Sequence, residues 1–151
     1  PQKCGGRCGA GKSLPGCTIV QCDVASRASC ELAFHAVEQA LGRVDVLVSN
    51  AGIAQQKLFT DITPEEWQHM LDVNLTGAFN LCQLVLPGMI RRKAGRILTV
   101  SSMWGQTGGS CEVHYSAAKA GLIGLTKHWP RKRAPAASPS TVWPRVSSTP
   151  I

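Results

Sequence analysis

What most constrains this chain is an alternation of two segment types. Short runs rich in β-branched residues, at 17–24 (CTIVQCDV), 44–49 (VDVLVS) and 96–101 (RILTVS), are separated by longer stretches of helical periodicity. Apolar runs of that length, closed by polar turn residues, read as buried strands. Between the first two, residues 26–41 carry Ala28, Leu32, Val37 and Leu41 as an apolar stripe, and Gly42 follows as a C-cap. Thr63 stands as N-cap before Pro64, Glu65 and Glu66. The helix it opens runs through Trp67, Met70, Leu71, Leu75 and Phe79 towards Ile90, with a bend expected near Pro87-Gly88. Residues 105–109 read as a turn-rich loop and 113 to about 126 as a second long helix.

Strands that alternate with helices imply βαβ units and a parallel sheet. Ligands of such sheets bind at the carboxyl ends of the strands. Asp23, Asn50 and Ser102 all lie at such ends.

The chain has 151 residues, 44% hydrophobic and 17% charged, enough apolar matter for one core. No run of 18 apolar residues occurs and the N-terminus lacks the apolar region of a secretory signal, so a cytoplasmic location and no membrane partner are expected. The seven cysteines form no tight framework and are read as reduced; Cys4 and Cys8 have no ligand partners at zinc spacing, so no metal is expected. The net charge of +7 sits at the ends: residues 23–126 hold eight bases and all nine acids, whereas 1–22 and 127–151 hold bases alone. The body is a near-neutral domain. Arg91-Arg92-Lys93 then reads as a solvated helix end, and no nucleic-acid partner is expected.

Tyr115 and Lys119 are spaced i, i+4 and share one helix face. A phenol titrates near pH 10 in water, and a neighbouring ammonium favours its phenolate. Such a phenol can exchange a proton with a carbonyl or alcohol oxygen near neutral pH. Ser102, ending the preceding strand, can hydrogen-bond the same oxygen.

With Cys22-Asp23-Val24, Ser49-Asn50-Ala51-Gly52, Asn74 in DVNLTGAFN, Ser101-Ser102 after GRILTV, and Tyr115-Ser-Ala-Ala-Lys119 before AGLIGLTK, the chain resembles the short-chain dehydrogenase/reductase family, in its classical branch. The resemblance covers about 110 residues, in family order, with 13 residues from Ser102 to Tyr115. It implies an α/β fold, a Rossmann-like doubly wound parallel sheet in three layers. The counterparts of the first two strands and the last strands are missing, so poor stability and aggregation are expected. It implies Tyr115 as general acid or base, Lys119 as its activator and ribose contact, Ser102 as the carbonyl-positioning hydroxyl and Asn74 as holder of a water in a proton relay. Asp23, with the Val24 backbone, would contact adenine; Asn50, Ala51 and Gly52 would line the cofactor. That cofactor would be NADP, with NAD not excluded. An intact relative would form a homo-oligomer, a tetramer, through the helices near 64–92 and 113–127.

Two glycine patterns are set aside. Residues 6–13 match G-x-x-x-x-G-K-[ST], and Gly5, Gly9 and Gly11 match the spacing of the family's cofactor turn. Either needs a strand before it, and only a few residues precede. The family's glycine-rich turn is therefore read as absent, and residues 1–16 as an irregular remnant. After Lys127 the family continues with sequence like ALAKELAPSGITVNCVAPG. Here Trp129-Pro130 and Trp143-Pro144 stand 14 residues apart, and read one base earlier Trp-Pro becomes Leu, Val or Met followed by Ala. Residues 128–151 are thus read as an out-of-frame, Pro- and Ser-rich basic tail, expected to be disordered. Sequencing the coding DNA checks this: a single-base insertion after the Lys127 codon should restore the family tail.

The resemblance implies an NAD(P)-dependent carbonyl reductase similar to the 3-oxoacyl-[acyl-carrier-protein] reductases of fatty acid biosynthesis, impaired in this partial form, acting on a small-molecule or carrier-bound carbonyl. The stretch SSMWGQTGGSCEVHYSAAKAG also looks like reductases of the 5-aminopentanone modification of elongation factor P. A non-enzymatic truncated remnant stays open beside both, and the polypeptide as written favours it physically.

Overall fold

The computed structural model describes residues 16–127 and the backbone of 146–150. The glycine patterns at 5–13 and most of the basic tail lie outside the described residues. Helix α1 (Arg27–Leu41) starts at Ser26, whose hydroxyl accepts from Ser29 N, and ends at Gly42, whose φ of 79° suits glycine. Strand β1 (Val46–Ser49) follows. Helix α2 (Pro64–Leu71) opens with a full capping box between Thr63 and Glu66. A π-helical turn (Asp72–Thr76) leads into α3 (Gly77–Arg92), which runs through Pro87. Then come β2 (Arg96–Val100), the short α4 (Trp104–Thr107), α5 (Val113–Lys127) and β3 (Val146–Pro150).

Strands β1 and β2 are parallel neighbours, with Val46 opposite Arg96 and Ser49 opposite Thr99. The helical run from α2 to α3 is their crossover, which makes a βαβ unit. Its core is Cys82, Val85 and Met89 of α3 against Ile97 of β2, flanked by Phe34, Val44, Leu47 and Leu86. The α3 end is tied down by Arg92, whose guanidinium donates to Val44 O and lies 3.6 Å from Asp45. This cation of the Arg91–Lys93 run thus holds the lead into β1. The run from Pro64 to Arg92 is long and apolar enough to cross a membrane by length and composition, a test the sequence run-length did not meet. Its buried Met70, Asn74, Ala78, Cys82, Val85 and Met89 make it a core helix of this fold.

Three expectations give way. Residues 17–24 form no strand, because among the described residues no strand lies beside them to accept a ladder. The long helix also holds a π turn at 72–76, where one extra residue per turn is accommodated, and α3 continues through Pro87. Residues 104–107 wind into α4, with Gly108 N bonding Trp104 O, where a loop was expected. Within the tail, 146–150 is extended and pairs antiparallel with β2, Val146 opposite Val100 and Pro150 opposite Arg96. An unpaired edge of β2 would leave its N–H and C=O groups without partners, which favours any extended segment that reaches it.

Candidate active site

Asn50, Gly52, Asn74, Tyr115 and Lys119 converge on one cleft of about 240 Å³ at the carboxyl ends of β1 and β2, together with Ile53, Ala54, Val100 and Ser101. Asn74 is 1% exposed and lies in the π turn. Its amide nitrogen donates to Ile53 O and Met70 O, both at 3.0 Å. Two carbonyl acceptors fix which end of the amide is nitrogen. Asn74 Oδ1 is buried with no protein partner. A Cβ on Gly52 would sit 2.7 Å from that oxygen and 3.4 Å from Lys119 Nζ. Only glycine leaves room for the Asn74 oxygen and the lysine to face the same space.

Lys119 is 4% exposed, and Nζ donates to Val100 O at 3.1 Å. Burial pushes its pKa below the ordinary 10.5, since a charged amine loses hydration there. Nζ lies 5.6 Å from the Tyr115 ring centroid. Its backbone is clamped as well: Ser101 Oγ donates to Lys119 O at 3.1 Å, and a Cβ on Gly105 would come within 2.7 Å of the Lys119 carbonyl carbon.

The start of α5, which carries Tyr115, is bonded to the 53–57 segment. Lys57 N donates to Cys111 O, and His114 Nε2 meets Gln55 Oε1 at 3.0 Å. Gln55 Nε2 and Lys57 Nζ both bond Glu66 of the α2 capping box. One hydrogen-bond chain therefore fixes α2, the cleft wall and Tyr115 together. Hydrogen bonding from Lys57, then from Thr63 N and Gln55, holds the Glu66 carboxyl at about 2. Cleft wall members Ile53, Ala54, Val100 and Ser101 carry no one-dimensional sign of their role except Ser101, which stands in the Ser-Ser pair.

Ser102 follows β2 and its Oγ accepts from Trp104 N at 3.3 Å, which leaves its own hydrogen to donate. It is not among the cleft-lining residues, and neither is Ala51. Asp23 and Val24 lie apart from the cleft in the turn before α1. Asp23 Oδ1 accepts from Ala25 N, and Val24 O accepts from Asn80 of α3.

A family model of short chain dehydrogenases matches residues 10–141. The chain belongs to the short-chain dehydrogenase family. It is 43% identical over 116 residues to an acetoacetyl-CoA reductase of Shinella zoogloeoides, covering 77% of this chain and 48% of that one. It is 45% identical over 98 residues to the 3-oxoacyl-[acyl-carrier-protein] reductase FabG of Thermotoga maritima, covering 65% and 40%. The crystal structure of gox2181 superposes with a TM-score of 0.69 at 34% identity, over 72% of this chain and 43% of that one. The chain spans a little under half the length of these curated relatives. The family match also reaches past 17–127 on both sides, into the two segments that composition sets apart. The α/β, Rossmann-like expectation agrees with both the fold and the superposition.

Proposed function

We propose that this short-chain dehydrogenase chain is the catalytic part of an NAD(P)-dependent reductase that converts a 3-oxoacyl thioester to its 3-hydroxy form. The observation that carries the reading is the shared cleft: Tyr115, Lys119 with its buried amine and Asn74 with its partnerless Oδ1 all line it. The names of the two reductase relatives support the substrate class.

A dinucleotide's nicotinamide end fits the polar donors and acceptors of this cleft, which Asn50, Asn74, Tyr115 and Lys119 line. When bound, that group supplies the hydride. Asn50, Ala51, Gly52, Tyr115 and Lys119 would hold its nicotinamide half, and Asp23 with the Val24 backbone its adenine. Tyr115 gives its hydroxyl proton to the carbonyl oxygen, and Ser102 donates a hydrogen bond to that oxygen. The Lys119 ammonium stabilises negative charge on the phenol oxygen. Asn74 Oδ1 accepts from a water that returns a proton by way of Lys119 Nζ; a polar space with two such partners suits one. Exposed Phe79, Ile90 and Val113 on α3 and α5 support self-association through these helices.

The test is loss of reduced-nicotinamide absorbance with acetoacetyl-CoA, using NADPH and NADH in turn. Turnover should fall about 10²–10⁴-fold in Tyr115→Phe, the range for general acid catalysis. A ketone-bearing elongation factor P as substrate separates the second reductase class. Calorimetry with NADPH decides the rest: micromolar binding rules out a non-enzymatic remnant, and no binding overturns the proposal.

A further inference from the structure

Cys22 and Cys30 bring their sulfurs within 3.9 Å of each other across the turn that enters α1. Cys30 is fully buried on α1, and its Sγ also points at Val24 O, 3.4 Å away. Cys22 is half-buried and ends the segment 17–22, which has no strand partner among the described residues. The other described cysteines offer no such pairing: Cys17 and Cys111 are exposed, and Cys82 is sealed in the α3 core. A disulfide needs sulfurs about 2.05 Å apart. The remaining distance of roughly 2 Å falls to Cys22, which sits in backbone free of ladder bonds.

We propose that Cys22 and Cys30 form a thiol–disulfide modification site, in which Cys22 takes up a low-molecular-weight disulfide and Cys30 resolves the adduct into an intramolecular bridge. The Cys22 thiolate attacks one sulfur of the reagent, which forms a mixed disulfide and expels one thiolate. Cys30 Sγ then attacks Cys22 Sγ, forms the bridge and expels the second. Two protein thiols are oxidised, the reagent is reduced to two thiols, and the two protein protons end on those thiols. Burial, with Cys22 beside it, pushes the Cys30 thiol up to about 11. Cys30 is therefore the resolving partner, and the second step accelerates with pH. The bridge would pin residues 17–22 to α1 and close the Asp23–Val24 turn. The site is independent of the reductase reading.

The test uses the full chain with Cys17→Ser, treated natively with oxidised glutathione, acid-quenched, alkylated and digested with trypsin without reductant. Cleavage after Arg27 separates the two sulfurs, so the bridge joins peptide 13–27 to peptide 28–43. The expected result is that linked pair, two hydrogens lighter than its parts. Adding Cys30→Ser should stop the reaction at a glutathione adduct on Cys22, and adding Cys22→Ser should leave Cys30 unmodified. Bridge closure should quicken about tenfold per pH unit below the Cys30 pKa. The proposal is overturned if native Cys22 takes no adduct, if the adduct persists beside an intact Cys30, or if the same pairing frequencies arise in denaturant.

Discussion

At the scale of single residues, Asn74 shows how a site is built from unequal bonding. Both of its amide hydrogens are committed to backbone carbonyls, and its oxygen is left facing the cleft. Asn74→Leu should cost about 1–3 kcal/mol by chemical denaturation, since buried carbonyls lose a donor. Gly52→Ala puts a methyl 2.7 Å from Asn74 Oδ1; it should lower turnover about 10²-fold by displacing the site and also cost about 1–3 kcal/mol in chemical denaturation through overpacking. Two titrations both make stability rise with pH, in separate windows. Glu66 has a depressed folded pKa, so its contribution is present above the ordinary 4.5 and lost as pH falls towards about 2. Denaturation midpoints of the native chain and Glu66→Gln should therefore converge over that acid window. Lys119 has a lowered folded pKa, so the unfolded chain binds more protons between that value and 10.5. Stability relative to Lys119→Met should rise with pH through that alkaline window.

At the scale of elements, local chemistry made some boundaries readable and neighbours decided others. Ser26, Gly42 and the Thr63–Glu66 box act within a few residues, and the helices begin and end where they predict. Thr63→Ala should cost about 1 kcal/mol in thermal or chemical unfolding. The strand expected at 17–24 depends on a partner rather than on its own residues, and the partner is not among the described strands. The π turn at 72–76 likewise has no local signature, because it serves bonds from Asn74 to Ile53, 21 residues away. Gly77 marks another such contact: a Cβ there would lie 2.8 Å from Val24 Cγ2. Gly77→Ala should cost about 1–3 kcal/mol through overpacking and speed amide exchange over 23–29, where the turn docks on α3.

At the scale of the molecule, the sheet runs β1-β2-β3, so β1 has an open edge among the described strands. Val46 and Val48 on β1 are 53% and 59% exposed. An open edge bearing β-branched apolar residues pairs with other chains. Light scattering should show concentration-dependent self-association, reduced by Val48→Lys, which places a charge on that edge.

The strands at β1 and β2, the helices, their caps and the shared helix face of Tyr115 and Lys119 followed from periodicity and spacing, because those effects act within one turn or one strand. The resemblance supplied Asn74, Asn50 and Gly52 as candidates, and the fold placed all three at one cleft. What only the tertiary structure decided was the burial of Lys119, the bonds that orient Asn74, the Gln55–Glu66 chain behind Tyr115 and the sulfur contact of Cys22 with Cys30. Each depends on groups brought together across the chain or on how deeply a group is packed, and a linear string carries neither distance nor dielectric.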